Sequence, residues 1–573
     1  MSSRTPLSPL RQALQRIEIG STRLSRTLAH GGDGGFFERL SRSMGLVLDW
    51  NVGDLARLPQ SGPVLLTANR PYGWIEGGAL LADLKGQRPD WRILEDRLLE
   101  LDPDETRQSL GPGELSQRME RAHEHLAAGG ALLVMVSPPL GHGRLEQAET
   151  QAEALGLARL ARESGASVVA LALHGGKRRA FLRLLGLDKP GWRREFLRGA
   201  LPRAAPHLTV QVGSPLSAKD LREHVTENEA AELLAMRRWL LARRGSPKKA
   251  QAPRPWPLKP QGQPIASALP PEILEEELSR LPPRACLAIS GDLECWVANA
   301  LQIPNLLREI GRVREETFRA VGEGSGRPLD LDRFDQHYSH LFLWSRSKRC
   351  LAGGYRFAPL DQVLSLHGAD GLYSHSLLRY APALLLSLDP ALELGRSFVA
   401  RDWQRSFAPL QLLWRGIGAW VAEHPRYRRL FGLVSMSADY LPLSRELTAS
   451  FIKQHLYRGD LARLTRPKRP FKPAYTKNQH DERTWRLGVD LDSLSDWVKE
   501  IEPDGKGLPV LFRQYAKLGG VFFGFNVDPD FGGALDALVC VDLLGTEPRL
   551  LARHMGDEGA ARFLGWHGKE AKV

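Results

Sequence analysis

The sequence predicts two α/β domains joined by a linker, and three observations carry that reading. Over 36–245, short apolar strands alternate with helical segments, the pattern of a largely parallel sheet flanked by helices. Over 244–265 runs R-G-S-P-K-K-A-Q-A-P-R-P-W-P-L-K-P-Q-G-Q-P-I, a basic, proline-rich stretch that reads as an extended spacer. Beyond it, mixed strands framed by helices fit an α/β/α arrangement. The expected division is a polar amphipathic segment at 1–35, a first domain at 36–245, a linker at 246–270, a second domain at 271–460 and an extension of it at 461–573.

The totals bound the function. At 573 residues the chain can build two or more cores. A net charge of +12 and a pI near 9.6 favour an acidic partner, either a protein or an anionic lipid surface. No Lys/Arg block reads as a nucleic-acid arm, so nucleic acid is not expected. The cysteines, Cys286, Cys295, Cys350 and Cys540, lack paired metal spacing and fit a reducing compartment. Neither a metal nor a resident cofactor is expected. No run reaches the ~18 apolar residues of a spanning helix, and the N-terminus lacks the apolar core of a signal peptide. The expected location is cytoplasmic, with any membrane contact peripheral and on the inner face.

Taken in order, residues 1–35 show a weak helical pattern (Leu10, Leu14, Ile17) and then G-G-D-G-G. That is a short amphipathic helix whose arginine-bearing face suits solvent or anionic lipid. In the first domain, strands are expected at 63–68, 131–136, 168–173 and 207–212. Helices are expected at 75–84, 114–126, 145–162, 178–185 and 229–243. His123 and His125 lie two apart on a helix and point away from each other, so they do not read as a metal pair.

The strand at 63–68 runs into Asn69-Arg70-Pro71-Tyr72-Gly73-Trp74-Ile75-Glu76-Gly77. This resembles the N-H-P-x-G-x-x-D-G motif of the glycerolipid (lysophosphatidate-type) acyltransferases. The segment V-V-A-L-A-L-H-G from Val168 to Gly175 is similar to that family's substrate-side strand, whereas Pro138-Pro139-Leu140-Gly141 aligns poorly with its F-P-x-G motif. In that family the histidine is the base and the aspartate orients it. Here Arg70 stands at the histidine position and Glu76 at the aspartate position. A guanidinium cannot accept a proton at neutral pH. The turn is kept by Pro71 and Gly73 while the base is gone, so the domain is expected to be a silent acyltransferase-like platform. The alternative needs a substitute base, for which His142 and His174 are the candidates.

In the second domain, strands are expected at 285–289, 293–298, 340–344, 351–357, 392–399 and 429–436, with helices at 403–422 and from Tyr440. Residues 465–508, rich in proline and charge, are expected to run over the surface, with order returning at 508–551. The helix that begins near Ile303 places Ile303, Leu306, Leu307, Ile310, Val313, Thr317 and Phe318 on one apolar stripe. Its charges, Arg308, Glu309, Arg312, Arg314, Glu315, Glu316 and Arg319, read by pattern alone as a solvated face laced with ion pairs.

The wording R-E-I-G-R-V-R-E-E-T-F-R, followed by D-x-x-D and an aromatic run, resembles the ornithine-acyl-carrier-protein N-acyltransferases. These are hemolysin-like enzymes of the acetyltransferase-like fold. A more distant likeness is to acyl-homoserine-lactone synthases, whose motif order reads here as Arg314/Phe318, Asp332/Asp335, Arg356 and Glu393/Arg396. The resemblance spans about 285–458, and 509–547 is similar to the family's C-terminal extension. It implies transfer of a (3-hydroxy)fatty acyl group from acyl carrier protein, or acyl-CoA, to the α-amine of ornithine or a related amino acid.

That chemistry needs a deprotonated amine, donors for the thioester oxygen and a held acyl arm. The resemblance casts Glu393 as base or amine clamp, with Arg396 beside it. Asp332 and Asp335 would hold a cationic acceptor. Arg314, Arg356 and Arg396 would orient a loop or grip the acceptor carboxylate, and Glu309 joins the substrate-binding set. Two other readings remain: a bifunctional synthase whose first domain O-acylates the lyso-lipid, and a non-enzymatic protein that binds lipid or carrier.

Overall fold

The computed structural model describes residues 46–50, 52–69, 75–94, 115–136, 155–175, 207–223, 226–241, 244, 262–473 and 490–569. The chain forms two compact units, Met1–Pro247 with Glu482–Val489, and Lys248–Asp481 with Asp490–Val573. Among the described residues, no helix is long and apolar enough to cross a membrane.

The first unit is built on six strands: β1 (Val47–Trp50), β2 (Val64–Asn69), β3 (Trp91–Leu94), β4 (Ala131–Val136), β5 (Ser167–Gly175) and β6 (His207–Val212). Their order is β1-β6-β5-β2-β4-β3, and every pair is parallel except β5–β6. Its helices include α1 (Ile75–Lys85), α2 (Leu115–Ala127) and α3 (Glu227–Leu241). A parallel sheet covered on both faces needs strands that are apolar throughout, and β4 is: Leu133 and Met135 pack with Leu80 and Leu84 of α1, whereas Leu132 and Val134 pack with Ala122 and Leu126 of α2. Arg70, Gly73, His142, residues 1–35 and the 178–185 helix lie outside the described residues. Glu76 falls in the first turn of α1.

The second unit centres on an eight-stranded sheet. Its strands are β7 (Cys286–Ser290), β8 (Leu293–Asn299), β9 (Ser339–Ser345), β10 (Cys350–Pro359), β12 (Ala391–Val399), β13 (Arg429–Met436), β15 (Val521–Asp528) and β16 (Ala534–Asp542). β11 (Leu378–Tyr380) and β14 (Thr465–Pro467) form a separate two-stranded ribbon. The large sheet runs β15-β16-β13-β12-β10-β9-β8-β7, and only β12–β13 is parallel. The unit's helices include α4 (Pro271–Ser279), α5 (Pro304–Arg319), α6 (Leu360–His367), α7 (Ala408–Glu423), α8 (Pro442–His455) and α9 (Leu491–Ile501).

Two expectations are corrected here. The face of α5 read as solvated turns inward in part, because Glu309, Arg314 and Glu315 are buried. Nor do residues 465–508 simply run over the surface: β14 pairs with β11, and α9 buries Leu494, Trp497, Val498 and Ile501, one helical stripe amid charged neighbours. Residues 262–270 lie as extended chain against the unit, with the Gln263 N–H donating to Gly326 O and the Ala266 N–H to Pro328 O.

Candidate active site

The apolar stripe of α5 seats Leu306, Ile310, Val313 and Phe318 in the core and carries Arg314 inward beside them. Arg314 is only 1% exposed. A guanidinium buried that deeply demands partners. Its Nε donates to Asp330 at 2.9 Å and its Nη1 to Asp335 at 2.8 Å. Asp332 caps the 3₁₀ turn Arg333–Gln336, accepting from the Phe334 N–H at 2.9 Å, while Asp335 accepts from the Asp332 N–H at 2.8 Å. Arg356 of β10 grips Asp332 with both Nη atoms, at 2.6 and 2.9 Å, and reaches Asp335 at 3.0 Å. Arg396 of β12 closes the set, its Nη2 donating to Asp332 at 3.3 Å and its Nε lying 3.5 Å from Asp330. Burial alone would raise these carboxyls, but the guanidiniums outweigh it and hold Asp330, Asp332 and Asp335 below the usual aspartate value. They are committed acceptors, unsuited to taking a proton near neutral pH.

Arg396 sits at a bend. Its φ is 48°, a left-handed conformation that ordinary residues avoid, and the β10–β12 register shifts between Gly354 and Arg356 opposite it. The guanidinium is held over the rings of Tyr373 and Phe531, 4.8 and 4.6 Å from their centres. Its Nη1 also donates to the Tyr373 hydroxyl at 3.2 Å.

Glu393, on the same strand, has both oxygens engaged. One accepts from the Tyr338 hydroxyl and from the Tyr373 N–H at 3.2 Å; the other accepts from the Ser374 N–H at 2.7 Å. Burial pushes its carboxyl up, against the opposing pull of the Ser374 and Tyr338 donors. In this geometry Glu393 fastens the loop that carries Tyr373. Glu309 belongs to a different place: it accepts from Arg312 at 2.8 Å and from the Leu269 N–H at 3.2 Å.

Further carboxylates lie within reach of the Arg396 charge, and the motifs did not announce them. Asp536 on β16 pairs with Asn526 on β15, so Asp528, two residues along, shares its face of the sheet. Asp536 Oδ1 accepts from Ser435 Oγ at 2.7 Å. Glu323 follows α5 in the glycine-rich loop. Burial raises all three carboxyls; Asp528 adds to the rise at Asp536, and Asp439 adds to that at Glu323, which is pushed up to about 7.

The sheet opens beside this cluster. β12 and β13 pair only from Ala391–Leu394 to Arg429–Gly432. At Gly432 a Cβ would lie 2.2 Å from Leu394 O, so the strands approach closely before they part. Beyond that point 395–399 is bonded to β10 and 433–436 to β16, so the two edges facing each other make no ladder there. A gap between parallel strands, walled by backbone amides, suits an extended amide-bearing arm.

Residues 313–415 match the acetyltransferase (GNAT) domain family. A glycine N(alpha)-acyltransferase of Phocaeicola vulgatus is 30% identical over 278 residues, which are 46% of this chain and 83% of that protein. The chain belongs to the family of this N-acyltransferase. A second glycine N(alpha)-acyltransferase, from Bacteroides thetaiotaomicron, is 29% identical over 303 residues, 50% of the chain and 87% of that protein. Among solved structures, the CoA-dependent acyl-homoserine lactone synthase BjaI with SAM and isopentyl-CoA aligns at 12% identity and a TM-score of 0.24, over 46% of this chain and 96% of that one. The lysophosphatidate acyltransferase PlsC of Thermotoga maritima aligns at 12% identity and a TM-score of 0.23, over 39% of this chain and 85% of that one. The acetyltransferase domain and the glycine N(alpha)-acyltransferase relatives make this chain an N-acyltransferase, one that transfers an acyl group to an amine.

Of the N-acyltransferase's sequence-predicted residues, Arg314, Asp332, Asp335, Arg356 and Arg396 form one network, with Glu393 joined to it through Tyr373. Asp330, Tyr338 and Tyr373 were missed although they lie inside or beside the motifs. Asp528 and Asp536 carried no local signal, since only strand pairing brings them here. In the first unit, the Asn69 side chain bonds both backbone groups of Leu173, accepting from its N–H at 2.6 Å and donating to its carbonyl at 3.1 Å. This ties the end of β2 to β5. Burial lowers the pKa of His174, the substitute base considered there. His125 Nε2 lies 3.1 Å from Ala131 O.

Proposed function

We propose that this chain moves a fatty acyl group from the thioester of an acyl carrier protein to the α-amine of ornithine or a related amino acid. The observation that carries the reading is the parting of β12 and β13 next to Arg396: an amide-walled gap ends at a cluster of buried carboxylates. The gap suits the pantetheine arm, and the carboxylates suit an ammonium-bearing acceptor. Family membership supports amide formation, and the relatives named for glycine support an amino-acid acceptor.

A cavity of about 370 Å³, in whose lining Arg333, Arg379 and Lys468 outweigh the single carboxylate of Asp370, supports an anionic donor. Arg379 lies directly across from Arg466 in the β11–β14 ribbon, a like-charge pairing that an acidic partner relieves. In this reading Arg396 polarises the site and Glu393 positions the Tyr373 loop. The first unit serves as a non-catalytic platform at the inner membrane surface.

The test is direct. Purified protein is given acyl carrier thioester or acyl-CoA, with labelled ornithine or glycine, and products are read by mass spectrometry. The expected result is an N-acyl amino acid, formed faster from the carrier thioester. Absence of amide with every donor and acceptor would sink the reading.

A further inference from the structure

The buried carboxylates beside Arg396 have a cationic counterpart. Arg445 of α8 is buried, and its Nη2 donates to Gly533 O at 2.8 Å, three residues before Asp536. Its Nε has no hydrogen-bond partner among the described residues, and neither has Asp536 Oδ2. A buried polar atom left unbonded costs free energy unless something else reaches it. Two such atoms of opposite charge, on neighbouring elements, describe the outline of a zwitterion.

The loops are built to close around this place. Gly532 has φ of 62°, and a Cβ there would lie 2.1 Å from Gly322 O, so the β15–β16 turn presses against the loop that carries Glu323. Phe531 in that turn also supports Arg396 and meets the Phe318 ring edge-on at 5.2 Å. Nearby, Asp330, Asp332 and Asp335 are balanced by three arginines, and Asp439 by Lys506 at 2.8 Å. Asp528, Asp536 and Glu323 have no such ion pair among the described residues, and burial pushes all three toward the protonated form against the pull of Arg396, a cost that an incoming ammonium relieves.

We propose that the acceptor amino acid binds here as a zwitterion, its carboxylate on Arg445 and its ammonium among Asp528, Asp536 and Glu323. Glu323 takes a proton from the ammonium. The freed amine attacks the thioester carbonyl carbon, a C–N bond forms and the C–S bond breaks. The sulfur leaves with the bonding pair and collects the second amine proton, and Glu323 returns the first to solvent. The balance is acyl thioester plus ammonium giving amide, thiol and one proton. Glu323 titrates close to neutrality, as a base for an ammonium should. The groups acting on it are Arg396 from β12, Asp528 from β15, Asp536 from β16, and Asp439 and Tyr440 after β13. This inference rests on the N-acyl transfer proposed above and adds where the acceptor sits.

The experiment compares ornithine and glycine with their decarboxylated amines, putrescine and methylamine, in the wild-type full chain and in Arg445→Gln, Asp536→Asn and Glu323→Gln. The wild type should favour each amino acid over its amine by about a hundredfold or more in kcat/KM, as a site built to bond a carboxylate does. Arg445→Gln should shrink that ratio to a few-fold without moving the donor KM. Asp536→Asn, which keeps its volume, should raise the acceptor KM about tenfold. Glu323→Gln should lower kcat and erase the acid limb of the pH–rate profile near 7. An unchanged amino-acid-to-amine ratio in Arg445→Gln, or an unchanged acceptor KM in Asp536→Asn, overturns the assignment. If no amide forms with any amine, the proposed function fails, and calorimetry judges the pocket alone. Ornithine bound by the wild type and lost in Asp536→Asn supports it; equal binding, or none, overturns it.

Discussion

At the residue scale, burial of charge decides what each side chain can do. Arg356 neutralises Asp332 and Asp335 where water cannot. Arg356→Ala should cost about 3–5 kcal/mol, because it strips the bidentate partner from Asp332 and one of two guanidiniums from Asp335 in the interior. The check is the urea midpoint at constant m-value, and an unshifted midpoint contradicts the network's role. The carboxyls held low, Asp330, Asp332 and Asp335, add stability that is present above their unfolded value of 3.8 and is lost as the pH falls below it. Glu323 works in the opposite sense. Its folded value of about 7 lies above the ordinary 4.5, so between those pH values the folded state keeps a proton that the unfolded chain has shed. Stability therefore falls as the pH rises through that window, by up to about 3 kcal/mol. Glu323→Gln should match the parent near pH 4.5 and exceed it at pH 8. Identical midpoints at pH 8 would contradict this.

At the element scale, the parting of β12 from β13 sets the site. Gly432→Ala forces a Cβ against Leu394 O and should cost about 1–3 kcal/mol while abolishing transfer. Melting curves and the amide assay read both. Tyr338→Phe should remove one of three donors to Glu393 while the Tyr373 and Ser374 N–H groups stay, costing about 1–3 kcal/mol for an undersatisfied buried carboxylate. Much of this layer was legible in sequence. The apolar runs at 131–136 and 429–436 announce strands, and the stripe from Ile303 to Phe318 announces α5 with its inward face. What hid was the direction of Arg314. Charge patterns on a helix do not say which charge lies beside Val313 in the core. α9 hid for a related reason, because its four buried apolar positions sit between charged ones. The diagonal of Asp528 and Asp536 was beyond reach, since it depends on how β15 and β16 pair 90 residues after β13.

At the scale of the whole molecule, the net charge of +12 bears on the proposed carrier donor. If an acidic carrier is steered to the Arg333–Arg379–Lys468 cavity, kcat/KM for carrier thioester should fall roughly tenfold between low and high salt. That for a simple pantetheine thioester should barely move. Equal salt dependence for the two donors would contradict steering.

Strand order has a temporal consequence. The hairpin that carries Asp528, Phe531 and Asp536 is synthesised well after β13, yet it lies against β13 inside the same sheet. A nascent chain that has emerged only through β13 carries Arg314, Arg356 and Arg396 but lacks Phe531, the ring on which Arg396 rests. On the acceptor site proposed above, products ending before β15 should form no amide.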